Sequence, residues 1–68
     1  MQELIGITAG RIWQYLGEHG EVSRIELKFN LDISNTLLHL ALGWLAREEK
    51  IVIKNEGKEC LITLRPGQ

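Results

Sequence analysis

Apolar residues recur at intervals of three and four along the start of the chain, at Ile5, Ala9, Ile12 and Leu16. Side chains at that interval stack on one helical face, so the pattern predicts an amphipathic helix from about Glu3 to His19, with Gly20 placed to cap its end. Trp13 flanks the stripe. Gly6 and Gly10 each cost about 1 kcal/mol relative to alanine inside a helix, and two readings stay open. Either a neighbouring backbone comes close at these glycines, or the helix start frays and the stable part begins near Thr8.

Glu21 to Ser23 reads as a short extended link. Ser23-Arg24-Ile25-Glu26 then matches the capping box, in which serine and glutamate satisfy each other's orphan backbone donors. A short helix follows to about Asn30, with Ile25 and Leu27 as core anchors. Leu31-Asp32-Ile33 forms an apolar turn, and Ser34 caps a third helix running to about Glu49. Leu38, Ala41, Leu42 and Leu45 make the buried stripe of that helix. The β-branched run Ile51-Val52-Ile53 and the segment from Cys60 to Leu64 are strand candidates. Asn55-Glu56-Gly57 supplies the turn between them, and Pro66 stops the second strand. The expected core is Ile12, Leu16, Leu38, Leu42, Leu45 and Ile53.

Three helices followed by an antiparallel hairpin make a mainly α, α+β winged helix-turn-helix, expected as one domain over residues 1–68. The resemblance goes beyond element order. Ile5-Gly6-Ile7-Thr8-Ala9-Gly10-Arg11-Ile12-Trp13 and Ala41-Leu42-Gly43-Trp44-Leu45-Ala46-Arg47-Glu48-Glu49-Lys50-Ile51 resemble a family of small, uncharacterised bacterial winged helix-turn-helix proteins. That resemblance implies a fold and a DNA-binding-like domain. It carries no catalytic or ligand residue, and winged helices serve protein partners as well as DNA.

Composition narrows the classes. Of the 68 residues, 44% are hydrophobic and 25% charged, which suits a soluble globular fold and is too apolar for disorder. No apolar run approaches the roughly 20 residues of a membrane helix, and the start does not read as a signal peptide. Cys60 stands alone, so neither an internal disulfide nor a zinc site is expected, and a reducing cytoplasm is the simplest setting. The net charge of −1 argues against strong non-specific DNA binding, which draws on phosphate neutralisation, but leaves room for a local basic face.

On the third helix, the face opposite the stripe carries Thr36, His39, Gly43 and Arg47. Ser34, Asn35, Thr36 and His39 are candidates for base or phosphate contacts and Arg47 for a phosphate, with Lys54 and Lys58 on the wing. The competing reading is a solvated surface, since Arg47 alone is a permanent cation there and Glu56 and Glu59 dilute the wing lysines. Leu37, Leu40 and Trp44 overflow to one side of the stripe, and Leu4 and Ile7 overflow on the first helix. As an exposed patch these five make a homodimer interface; Trp44 and Leu37 alternatively broaden the core. His19 and His39 share no metal-ligand spacing. No nucleophile with an adjacent base, carboxylate pair or phosphate loop is present, so no enzyme, cofactor or metal is expected. The reading is a DNA-associated regulator acting as a homodimer on double-stranded DNA; the alternative is a module that binds another protein and no DNA.

Overall fold

The computed structural model describes residues 2–66. Its elements are α1 (Gln2–His19), β1 (Val22–Ser23), α2 (Arg24–Leu31), α3 (Asn35–Arg47), β2 (Ile51–Glu56) and β3 (Glu59–Leu64). The strands form one antiparallel sheet in the order β1-β3-β2, with Val22 opposite Ile62 and Ile53 also opposite Ile62 from the other side. The link read as merely extended is therefore the third strand of the sheet. It is short enough that no periodicity can register in it.

Each helix end has a local cause. The Ser23 and Ser34 hydroxyls accept from the backbone N–H of Glu26 and Leu37, each at 3.1 Å, and cap α2 and α3. Every helix then stops on a left-handed residue. Gly20, at φ +76°, donates its N–H to the Leu16 carbonyl at 2.8 Å. Asp32 (φ 53°) and Glu49 (φ 58°) take the same conformation at the other two ends. After α3 the pattern is a Schellman motif: Glu49 N–H donates to Ala46 O and Lys50 N–H to Leu45 O, both at 3.0 Å. The hairpin turns on Gly57-Lys58, with positive φ at Gly57. Asn55 and Glu56 belong to β2, so the turn lies later than the sequence pattern placed it.

The core runs continuously through α1, α2, α3 and the sheet: Ala9, Ile12, Leu16, Val22, Leu27, Ile33, Leu38, Ala41, Leu42, Leu45, Ile51 and Ile62. Two expected anchors are absent from it. Ile53 is 40% exposed, because β2 runs out past the helices towards the wing tip, and Ile62 fills the central position. Ile25 is 57% exposed, because α2 turns Leu27 into the core and leaves Ile25 at the surface beside the wing turn. Ile33, in the turn, is buried as expected.

The frayed start is not seen, since α1 is helical from Gln2. The close backbone approach is not seen either. A Cβ built on Gly6 or Gly10 would meet nothing within 4 Å. Among the described residues, no helix is long and apolar enough to cross a membrane.

Candidate nucleic-acid interface

The exposed side of α3 is held on a fixed rod. Leu38, Ala41, Leu42 and Leu45 anchor one face in the core, and Asn35, Thr36, His39, Gly43 and Arg47 are all exposed on the rest of its surface. Asn35 and Arg47 sit at opposite ends of the helix. At 1.5 Å rise per residue they are separated by about 18 Å along its axis. Ser34 is committed to its cap, which leaves Asn35, Thr36 and His39 as the polar side chains near the helix start.

The wing behaves differently from its sequence reading. Lys54 Nζ lies 3.2 Å from Glu21 Oε2, so this lysine is engaged with the link before β1. Lys58 is in the hairpin turn and lines a depression with Ser23, Arg24, Ile25, Glu59 and Cys60. The wing tip thus lies against the start of α2, and brings Lys58 and Arg24 to one place. Arg24 was missed by sequence reasoning. It follows a capping serine and carries no periodic signal; only the pairing of β1 with β3 sets it beside the wing. At the end of the hairpin Glu56 stands opposite Glu59, so two like charges face each other across the strands.

The eight lysines and arginines divide by engagement. Lys54 and Arg65 pair with Glu21 and Glu49. Lys28 lies 4.8 Å from the Phe29 ring centroid and Lys50 lies 5.8 Å from that of Trp13. Arg11 Nη2 donates to the Leu31 carbonyl at 3.0 Å. Among the described residues, Arg24, Arg47 and Lys58 have no such partner, and these are the cations at liberty to meet a phosphate.

The five apolar residues assigned to an interface separate into two kinds. Leu37 is half-buried and packs against the core, whereas Leu4, Ile7, Leu40 and Trp44 are exposed. Leu4, from α1, shares one shallow depression of about 160 Å³ with Leu37, Leu40, Ser34 and Thr36. The apolar patch and the start of the candidate reading helix are therefore contiguous. On α2, Phe29, which the sequence reading did not single out, is 71% exposed one turn from Ile25.

Residues 1–64 match a family model described as "Winged helix-turn-helix domain (DUF2582)". "Uncharacterized protein MJ1608" of Methanocaldococcus jannaschii is 38% identical over 63 residues, an overlap covering 90% of each chain. The solution NMR structure of protein BT2368 from Bacteroides thetaiotaomicron superposes with a TM-score of 0.82 at 35% identity, covering 93% of this chain and 77% of that one.

Proposed function

The chain belongs to the DUF2582 family of winged helix-turn-helix domains, and on that premise we propose that it is a small DNA-associated regulatory domain of the cytoplasm, with no catalytic role. The observation carrying this reading is the exposed side of α3. Four buried side chains fix that helix, while Asn35, Thr36, His39 and Arg47 stand exposed along it. A rigid helix with exposed amide, hydroxyl, imidazole and guanidinium groups has the dimensions and chemistry to enter a major groove. Arg24 and Lys58 supply a second phosphate contact beside the start of α2. Lys54 contributes only when it leaves Glu21. The affinity is modest and salt-sensitive, because few cations are uncommitted.

The test is an NMR titration of the 68-residue chain with random duplex DNA at low salt. Amide shifts concentrated at Asn35, Thr36, His39 and Arg47, with a second group at Arg24 and Lys58, support the reading. A duplex at millimolar concentration that moves no amide of α3 ends it.

A second reading, a module that binds another protein, draws on a specific observation: large apolar side chains are exposed on all three helices, including Trp13, Phe29 and Trp44. In that case duplex DNA leaves α3 unmoved and Trp44 fluorescence responds to a bound protein.

A further inference from the structure

β2 is an edge of the sheet, with β3 on one side and no strand among the described residues on the other. The ladder tells which of its backbone groups are left over. Arg65 N–H donates to Lys50 O at 3.0 Å, and opposed residues of an antiparallel pair alternate between bonded and non-bonded positions. In the observed register Val52, Lys54 and Glu56 therefore exchange bonds with Thr63, Leu61 and Glu59. Ile51, Ile53 and Asn55 turn their N–H and C=O groups outward. Among the described residues, no backbone hydrogen bond from another element reaches those groups. Such a row is completed by one kind of ligand, another extended strand. A lysine often guards an edge of this sort, but Lys54 is neutralised by Glu21 at 3.2 Å.

The charges on the strand say which strand fits. Glu56 stands opposite Glu59 at the wing end of the hairpin, and Lys50 stands with Arg65 at the other end. Each chain thus carries an acidic like pair and a basic like pair, six residues apart on the same edge. A two-fold axis through Ile53 sets Lys50 of each copy opposite Glu56 of the other. Across the joined sheets the row then reads Arg65, Lys50, Glu56, Glu59, so each like pair meets its opposite. Lys50 Nζ is 5.8 Å from the Trp13 ring centroid, the outer reach of a cation–π contact, and is free to turn to a carboxylate.

The same register serves the backbone. Ile53, 40% exposed, lies against its own copy and Ile51 against Asn55, so outward groups meet outward groups. A slip of one residue would face outward groups with groups already bonded to β3. A slip of two residues would set Lys54 opposite Lys50 or opposite itself, which like charge opposes. We propose that a second copy of this chain pairs its β2 antiparallel to this one about Ile53, joining the two sheets edge to edge. The pairing is independent of the duplex reading.

The test is a charge exchange followed by sedimentation velocity from micromolar to millimolar concentration. Wild type is expected to move to a dimer. Lys50→Glu and Glu56→Lys should each pair about tenfold more weakly, since two attractions become two repulsions. An equimolar mixture of the two variants should recover pairing, because every opposed couple is then again of opposite sign. Circular dichroism establishes that both variants fold, and Glu56→Lys removes a repulsion within its own chain. Amide exchange supplies the second readout: the N–H groups of Ile53 and Asn55 should gain protection with concentration, while those of α1 and α3 do not. A wild type monomeric at millimolar concentration leaves the edge to some other chain and overturns the proposal. So does a mixture that pairs no better than either variant alone, or a dimer whose new protection lies on the helices.

Discussion

The Tyr15 hydroxyl, on α1, donates to Glu26 Oε2, on α2, at 2.8 Å, and accepts from Asn30 Nδ2 at 3.1 Å. One phenol thus fixes the angle between the helix that crosses the core and the helix that precedes the turn. The same contact changes the role of Glu26. Its backbone N–H donates to the Ser23 hydroxyl, as the capping-box pattern predicts, while its carboxylate accepts the hydrogen bond from Tyr15. His19 stacks on Tyr15 with ring centroids 4.1 Å apart and completes the cluster.

The hydrogen bond to Glu26, then desolvation and the Glu26 charge, raise the Tyr15 pKa above its ordinary value of 10.0. A raised pKa in the folded state favours the protonated phenol. Its stabilisation is therefore complete below about pH 10 and is lost as pH rises from there through the folded-state value. Thermal melts from pH 8 to 12 should show an alkaline decline in stability that Tyr15→Phe diminishes, with Tyr15→Phe somewhat less stable than wild type at neutral pH. An alkaline limb identical in both proteins would contradict the assignment.

The glycines of α1 give the opposite kind of prediction. Gly6, Gly10 and Gly17 have nothing within 4 Å of an added Cβ, and none has positive φ. Gly10→Ala and Gly17→Ala should each raise stability by about 0.5–1 kcal/mol in denaturant melts, the usual helix-interior difference between the two residues. Gly57→Ala, at φ +62°, should lose about 1 kcal/mol.

Glu49 holds a left-handed φ of 58° at a position that glycine normally fills. Its pairing with Arg65 at 3.3 Å is exposed and worth little. Glu49→Gly should accordingly stabilise by about 0.5–1 kcal/mol, while Arg65→Gln should change stability by less than about 0.5 kcal/mol. Urea midpoints of the two variants decide it.

Leu38 is fully buried in α3, and Leu38→Ala should cost about 2–5 kcal/mol. Ile25→Ala should cost far less, under about 1 kcal/mol, although both residues read as core positions in the linear pattern. Equal costs would place α2 differently from the arrangement described here.

For duplex binding, the slope of log affinity against log salt should be no steeper than about −3 for a single chain, at about −0.9 for each phosphate met by Arg24, Arg47 and Lys58. Arg47→Ala should reduce that slope by about 1 and weaken all sequences alike, whereas Asn35→Ala should alter sequence preference if it reads a base. Glu59→Lys, which removes the Glu56–Glu59 repulsion and adds a cation to the wing, should strengthen binding.

The sequence by itself determined the identity and order of the three helices and the hairpin, because the features that set them are local. Helical stripes, the two serine caps, Gly20 and the β-branched run at Ile51 all act within a few residues of themselves. For the same reason the buried faces of α1 and α3 were legible, being strongly periodic over many residues. Tertiary structure alone decided what depends on partners distant in the chain. Val22–Ser23 is a strand only because β3 returns to pair with it, and Arg24 is a neighbour of Lys58 only through that pairing. Ile25 and Ile53 are as apolar as Leu27 and Ile62. Which of them is buried is decided by where neighbouring elements come to lie, and no spacing along the chain records that. Lys54 was set beside Glu21, 33 residues away in the chain, in the same way. Leu4 and Leu40 became one patch with Thr36 because α1 packs across α3, so that patch exists only in the folded chain.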